Sequence, residues 1–365
     1  MVLAVADRDR PPAVWVVAVV NGLRRMRFRH SLLSIILMLG LLGCGGDRPL
    51  APSPGDSATS DPPQETIAPT SASPPPLMSP PISDPAPRID GDRLFQTVEA
   101  LAVPRFEESD RRQARDYLRG ELESAGWSVR NHEFDGGVNL VAERPGTQPN
   151  GTTLLLGAHY DTVPNSPGAD DNASAVATVL EAAWLLRDPT PQALRLVLFD
   201  LEEIGLQGSL AYVSPETLDN LAGAIILEMM GYACDEVGCQ TYPPGLPDSL
   251  PERGDFLGVV GNLPYRHLTD AFERVSDSDV PEIVTLTVPV GPILDLLRSD
   301  HAPFWLAGAP AVMVTDTANF RNPHYHRPSD TPETLDRSFL EGSAQAVVDV
   351  LYDLLTRQGV EAESS

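Results

Sequence analysis

Eight short apolar runs between residues 127 and 317 constrain the fold of this chain more than any other feature. Several of them, such as TLLLGA at 153–158 and GAIIL at 223–227, are apolar throughout, which is typical of strands buried on both faces of a sheet. Helix-patterned segments alternate with these runs; in residues 108–126, Ala114, Leu118 and Leu122 follow helical spacing and Gly126 stands where a helix would end. The pattern predicts an α/β fold, a three-layer α/β/α sandwich on a mixed, mostly parallel sheet of about eight strands.

Two further segments carry local predictions. The last helix is expected over 338–355, opened by a capping box in which Ser338 and Glu341 satisfy backbone N–H groups reciprocally. Residues 230–254 show no periodicity and predict a loop-rich insertion that contains Cys234 and Cys239. In an exported protein this pair indicates a disulfide that closes a short loop; the alternative, a metal site, lacks the second cysteine pair or nearby histidine that four ligands need.

The N-terminal part of the chain predicts export rather than folding. Residues 1–44 form a signal region in which Met26 opens a basic start, a short apolar run follows, and Leu-Leu-Gly precedes Cys44 as in a bacterial lipobox. We expect Met26 to be the true start and Cys44 to be lipidated; a plain cleaved signal or a single anchor helix are the alternatives. Residues 45–90 predict a disordered Pro- and Ser-rich tether, 91–358 a folded domain and 359–365 a flexible tail.

These segments imply a location and limit the partners. A lipid anchor followed by a tether would hold the folded domain in the bacterial cell envelope, periplasmic or at the cell surface, on the inner or the outer membrane. The net charge of −25 argues against nucleic acid as a partner, because phosphate binding needs a basic surface. The sequence leaves the oligomeric state open.

Polar, chargeable residues follow the apolar runs at the points where the strands end. They are His159, Asp161, Asp170, Asp171, Glu202, Glu203, Glu228, His324 and His326. In α/β sheets, ligands bind beyond the carboxyl ends of the strands, so these side chains are expected to meet at one edge. Crowded carboxylates are stable mainly when cations neutralise them, and a set of imidazoles and carboxylates without thiolate favours a catalytic zinc site.

Six motifs together resemble one known family. GAHYDTV, PGADDNAS, FDLEEIGLQGS, LEMMGY, SDHAPFW and PHYHRPSDT, in this order, resemble the co-catalytic di-zinc aminopeptidases, a family that also contains glutamate carboxypeptidase-type exopeptidases and has glutaminyl cyclases as relatives. The resemblance covers roughly residues 93–355. It implies a zinc-dependent exopeptidase that hydrolyses peptide bonds, most simply an aminopeptidase acting on peptide substrates.

The resemblance also implies a role for each matching residue. Two Zn²⁺ per chain would be bound, one by His159 and Glu228 and the other by Glu203 and His326, with Asp171 bridging them. Glu202 would be the general base, and Asp161 would accept the other imidazole N–H of His159 and orient the ring. His324 competes with His326 for the last ligand position, and the family pattern of Tyr-His before Asp-Thr favours His326.

Three alternatives follow from the same residues. Glu228 stands where many of these aminopeptidases have Asp, which leaves a carboxypeptidase-type preference open, and a glutaminyl-cyclase-like acyltransferase would need only one zinc. A non-enzymatic binding module would have lost a ligand or the base, and neither is lost here. Asp300, His301 and Tyr325 are candidates for the substrate pocket, with a plain helix start as the other interpretation of Asp300.

Overall fold

The computed structural model describes residues 85–247, 249–275, 279–291 and 293–357, which form eight strands and eight α-helices. The strands are β1 Ser128–Phe134, β2 Gly137–Arg144, β3 Thr153–His159, β4 Ala193–Phe199, β5 Leu221–Glu228, β6 Phe256–Asn262, β7 Glu282–Val288 and β8 Ala311–Thr315. The helices are α1 Gly91–Leu101, α2 Glu108–Ser124, α3 Ala175–Leu185, α4 Gln207–Tyr212, α5 Pro215–Leu218, α6 His267–Phe272, α7 His301–Leu306 and α8 Arg337–Thr356. The predicted signal region with Cys44, the tether up to residue 84 and the tail 359–365 lie outside the described residues.

All eight strands belong to one mixed sheet with the order β1-β2-β4-β3-β5-β8-β6-β7. In its centre β3 runs parallel to β4 and β5, and β5 runs parallel to β8. The pairs β1–β2, β2–β4 and β6–β8 are antiparallel. The carboxyl ends of β3, β4, β5 and β8 therefore meet at a single edge, and the α/β prediction is confirmed.

Both faces of the sheet are buried, which explains why the central strands are apolar throughout. Leu154 and Leu156 of β3 belong to a core shared with residues of α1, α2, α3 and α8. Leu155, which points the other way, packs with Phe304 of α7 and Tyr212 of α4. Successive side chains of a strand alternate between its faces, so a run without polar positions fits only between two helical layers.

The ends of the elements agree with the sequence pattern in two places and differ in one. Gly126 adopts φ +91° after α2, and Gly136 adopts φ +85° in the turn between β1 and β2; both need a residue that tolerates the left-handed region. The capping box predicted at Ser338 is wrong. Helix α8 begins at Arg337, and Asp336 caps it by accepting a hydrogen bond from the backbone N–H of Phe339 at 2.9 Å.

The folded domain includes the last residues of the predicted tether. The backbone N–H of Ile89 donates to Gln345 Oε1 of α8 at 3.1 Å, and Asp90 caps α1 by accepting from the N–H of Arg93. These contacts fix the N-terminus of α1 on the α8 side of the sheet. Among the described residues, no helix has the length and apolar content to cross a bilayer.

The insertion between β5 and β6 has almost no regular structure. Cys234 and Cys239 are joined by a disulfide, and Cys234 also exchanges backbone hydrogen bonds with Gly254 at 2.9 Å. The disulfide closes a short loop at the beginning of this insertion, and the pairing of Cys234 with Gly254 connects its beginning to its end. Its residues Tyr242, Leu246 and Leu250 line a cavity described below.

Candidate metal centre

The polar residues that follow the strands lie together at the carboxyl edge of the sheet. His159 is the last residue of β3 and Glu228 the last of β5, while Glu202 and Glu203 lie in the loop that follows β4, three and four residues after its end. Asp171 reaches the same place from the irregular turn Ala169–Ser174, in which Asp171 and Asn172 have non-helical backbone angles before α3 begins.

Two groups of side chains share Asp171. In the first, Nε2 of His159 lies 3.4 Å from Asp171 Oδ1 and 3.6 Å from Glu228 Oε2. In the second, Nε2 of His326 lies 3.2 Å from Asp171 Oδ2 and 3.0 Å from Glu203 Oε2. Within each group the candidate donor atoms all lie within 4.8 Å of one another. Each oxygen of Asp171 therefore faces a different imidazole, which is the arrangement of a carboxylate between two ion positions.

The spacing of these atoms fits metal ligands. Atoms bound tetrahedrally at about 2.0–2.1 Å from one zinc ion lie about 3.4 Å apart, close to the separations in both groups. Both ring nitrogens of His159 and Oε1 of Glu203 are buried and have no hydrogen-bond partner among the described residues. Burying polar atoms without hydrogen-bond partners costs free energy. This edge of the sheet therefore combines suitable donor atoms with unpaired buried atoms, which are features of a cation site.

Asp161 contacts residues of both groups and helps to position them. Its Oδ1 lies 3.4 Å from Nδ1 of His159, on the side of the ring that faces away from Asp171. Its two oxygens also accept the backbone N–H groups of Glu202 and Glu203, at 3.1 and 3.2 Å. One carboxylate thus fixes both the histidine at the end of β3 and the pair of glutamates after β4.

The two histidines near the C-terminus, His324 and His326, make different contacts. His326 lies in the second group, whereas Nδ1 of His324 lies 2.9 Å from the hydroxyl of Ser329, and its ring is edge-on to Tyr232. His324 takes part in neither of the groups that share Asp171. The ring of Tyr325 stacks on that of His326 with centroids 3.7 Å apart and so restricts its orientation.

In the metal-free protein the local charges shift the pKa values of these groups strongly. Burial, together with Glu228, Glu203 and Asp300, raises the pKa of Glu202 well above its usual range. Burial and the charge of Asp171 raise the pKa of Glu203 to about 7. A carboxyl group with such a pKa holds a proton near neutrality unless a cation arrives, and it is suited to accept and release one.

Sequence reasoning missed four residues that support the site. Asp330 accepts the backbone N–H groups of Asp170 and Asp171, at 2.9 and 3.1 Å, and so holds the turn that carries the shared carboxylate. Its presence in the motif PHYHRPSDT was the only available signal. Ser299 donates to Glu228 Oε2 at 2.7 Å, and Asn172 accepts from the N–H of Met229, the residue after Glu228, at 2.9 Å.

The fourth residue is Arg105, which has no motif around it. Its guanidinium is completely buried and donates to the carbonyl oxygens of Tyr160, Val103, Pro167 and Gly168 at 2.7–3.1 Å, as well as to that of Leu101. These bonds tie the chain on both sides of Asp161 to the loop before α2. Burial lowers the pKa of Arg105 to about 10, against the opposing effect of Asp161 and Asp171, so the guanidinium stays charged beside the acidic cluster.

A cavity of about 800 Å³, its open mouth included, adjoins the candidate metal centre at Glu228 and Ser299. Of the three residues predicted for the substrate pocket, Tyr325 lines this cavity. Asp300 and His301 do not, because both are fully buried behind its wall, where Nε2 of His301 lies 2.8 Å from the carbonyl oxygen of Leu296. Asp300 instead lies near the acidic cluster, and burial raises its pKa to about 7.

Residues 139–351, more than half of the chain, match the model of peptidase family M28. The chain therefore belongs to this metallopeptidase family. An uncharacterized Escherichia coli K12 protein, YfbL, is 32% identical over 284 residues, which are 71% of this chain and 85% of that protein.

Two further proteins extend the comparison. The probable lipoprotein aminopeptidase LpqL of Mycobacterium tuberculosis H37Rv is 29% identical over 246 residues, 61% of this chain, and the chain spans only 47% of its length. The solved aminopeptidase from Aneurinibacillus sp. strain AM-1 superposes with a TM-score of 0.59 at 17% identity, over 76% of this chain and 97% of that structure. At this identity the likeness extends to the fold alone.

Proposed function

We propose that this member of peptidase family M28 is a two-zinc exopeptidase, an aminopeptidase that releases N-terminal residues from peptides. The observation that carries the proposal is the position of Asp171, whose two oxygens face His159 and His326 at 3.4 and 3.2 Å. Glu228 completes one group and Glu203 the other, so the chain supplies a complete set of donors for two ions.

The charges of the set fit two divalent ions. Asp171, Glu203 and Glu228 contribute three negative charges, which two Zn²⁺ would offset with one positive charge to spare, and near-neutrality is what a partly buried site tolerates. When bound, zinc supplies Lewis acidity: it polarises a scissile carbonyl and lowers the pKa of water. His159 and Glu228 would hold one ion, and Glu203 and His326 the other.

Glu202 is the proposed general base and acid. It belongs to neither group that shares Asp171, it is 8% exposed, and burial raises its pKa well above the usual range. A buried carboxylate whose pKa is raised is suited to take a proton from the attacking water and later to deliver it to the leaving amine. Asp161 positions this residue by accepting its backbone N–H.

A carboxylate beside the site also favours a substrate that presents its free N-terminal amine. The free α-amine of a peptide is cationic, and Glu228, whose side chain lines the cavity beside the site, offers it a carboxylate. The relative LpqL is named as a probable aminopeptidase, which agrees with this choice. Glu228 in place of the Asp common in such aminopeptidases is the reason to test the C-terminal alternative directly.

The test is a panel of fluorogenic substrates assayed with and without a chelator, together with elemental analysis. The panel contains amino-acid amides, N-blocked peptides and peptides with an N-terminal Gln. The proposal expects about two zinc per chain, cleavage of free amino-acid amides, and loss of this activity in chelator with recovery on adding zinc. About one zinc with cyclisation of N-terminal Gln would favour a glutaminyl-cyclase-like acyltransferase, and cleavage of N-blocked peptides alone would favour a carboxypeptidase.

We also propose that the enzyme is exported and anchored to the bacterial envelope through a lipid on Cys44, with residues 45–84 as the tether. The lipobox sequence supports this proposal, as do the disulfide of Cys234 and Cys239 and the naming of the relative LpqL as a probable lipoprotein. Expression with labelled fatty acid tests it: the chain should carry label in the membrane fraction, and the variant Cys44→Ala should not.

A further inference from the structure

The cavity beside Glu228 is apolar in its depth, and the charged residues among its described lining are Glu228, Asp295 and Arg298. Its walls are formed by side chains of the insertion and of the sheet, including Leu246, Leu250, Phe256, Leu286 and Met313. Among its described lining residues, Arg298 is the only cation. An apolar wall cannot stabilise an ionised group, and among the described lining side chains only this guanidinium offers a carboxylate an opposite charge.

Arg298 is held in place from two sides. Its Nη1 donates to Asn319 Oδ1 and its Nη2 donates to the hydroxyl of Tyr325, each at 3.0 Å. Tyr325 in turn stacks on His326, and Ser299, the neighbour of Arg298, donates to Glu228. The guanidinium is therefore attached to residues next to both candidate ion positions, and its distance from the reacting centre is fixed by these contacts.

The guanidinium has capacity left for a ligand. An arginine has five N–H donors, and the two hydrogen bonds above use two of them. Asp295 forms an ion pair at 3.5 Å from Nη1, a separation at which the contact is weak, and 44% of the Arg298 side chain is exposed. Three donors on a planar, pre-oriented fork are suited to a carboxylate, which an arginine can bind through two parallel hydrogen bonds.

From this geometry we infer that Arg298 binds the C-terminal carboxylate of short peptides, so that the enzyme prefers dipeptides whose apolar side chain enters the cavity. The inference rests on the proposed exopeptidase function and deepens it by naming the substrate class. A dipeptide has its amine and its carboxylate one residue apart on either side of the scissile bond, and the acidic cluster and Arg298 would each bind one of them. Longer peptides and amides lack a carboxylate at that distance.

The experiment compares Leu-Phe with its C-terminal amide on zinc-loaded full-length enzyme. A hydrogen-bonded ion pair of this kind corresponds to a factor of about 10–100 in kcat/KM. We expect the ratio of kcat/KM for the free acid to that for the amide to fall by this factor in Arg298→Gln, mainly through KM. In Asp295→Asn, which removes the competing carboxylate, the ratio should rise. An unchanged ratio in Arg298→Gln of wild-type thermal stability would overturn the inference.

Two further measurements keep this result separate from the proposed function. Calorimetric titration of Leu-Phe and its amide into zinc-loaded Glu202→Gln, with and without Arg298→Gln, measures carboxylate binding without turnover, and equal affinities for acid and amide would contradict the inference. N-acetyl-Leu-Phe has the C-terminal carboxylate but no free α-amine. Its Arg298-dependent cleavage would support carboxylate binding while contradicting the aminopeptidase assignment. If the wild type cleaves none of these peptides, the proposed function fails, and calorimetry still decides on Arg298.

Discussion

Glu202 and Glu203 are neighbours in sequence, yet changing each to Gln should have opposite consequences. Oε2 of Glu203 lies 3.0 Å from His326 Nε2, and its Oε1 is buried without a partner, as expected of an ion ligand. Glu202 lies outside both groups that share Asp171, although its carboxylate also lies close to the donor atoms of His159 and Glu203 in a third group of candidate donors. We expect Glu202→Gln to keep both zinc ions and lose turnover, and Glu203→Gln to lose zinc.

The expected changes in kcat and in stability of Glu202→Gln follow from the role and the contacts of this residue. A positioned general base contributes about 10²- to 10⁴-fold, so kcat of Glu202→Gln should fall by that factor, or about 3–5 kcal/mol of activation free energy. The substitution keeps the backbone N–H that donates to Asp161 and removes a buried carboxyl whose pKa is raised by burial. The zinc-free variant should therefore be at least as stable as the zinc-free wild type.

The assay pairs elemental analysis with hydrolysis of a fluorogenic leucine amide on the two purified variants and the wild type. We expect about two zinc per chain for Glu202→Gln and about one for Glu203→Gln, since a neutral amide oxygen is a poor substitute for a carboxylate ligand. Thermal melts with and without zinc serve as the folding control. Turnover of Glu202→Gln within a few-fold of the wild type, or both zinc ions retained in Glu203→Gln, would refute the assignment of the pair.

Three further changes test the surroundings of the site. Asp161→Asn weakens the contact that orients His159, and zinc affinity measured by competition with a chelator should fall about 10- to 100-fold. Arg105→Lys removes most of a buried set of hydrogen bonds and should lower the free energy of unfolding by about 3 kcal/mol in denaturant titrations. Burial lowers the pKa of His301 to about 4 from 6.5, so its contribution to stability is complete above pH 6.5 and is lost as the pH falls towards 4. Between pH 7 and 5 the wild type should lose about 2 kcal/mol more than His301→Gln in the same titrations, and equal losses would contradict this.

The sequence predicted the architecture well because burial on both faces leaves a strong signal. A strand such as β3 has no polar side chain between residues 154 and 158, and that excludes a sheet with one solvated face. The end of α8 nearest the site was predicted less well. Ser338 and Glu341 satisfy the pattern of a capping box, but Asp336 also satisfies the requirement for a cap, and only the path of the chain after residue 331 decides which residue begins the helix.

For the site, sequence order predicted which residues meet but not which acids remain unpaired. Asp200 comes two residues before Glu202 and has the same chemistry. In the structure, Arg111 Nε lies 2.8 Å from Asp200 Oδ1 and Arg115 Nη1 lies 3.1 Å from Oδ2, so that Asp200 connects α2 to the end of β4. Those arginines lie 85 or more positions earlier in the chain, and no local pattern reveals the pairing.

Hydrogen-bond partners divide the acids at this edge of the sheet into two classes, and the division is itself an argument for a cation. Asp161 and Asp330 each accept two backbone N–H groups, which stabilise an ionised carboxylate without any ion. Oε1 of Glu203 and Nε2 of His159 are also buried but have no hydrogen-bond partner among the described residues. Leaving such atoms unpaired costs free energy, which a bound cation would return. These unpaired atoms, more than the number of acids, therefore favour a metal centre at the ends of β3 and β4.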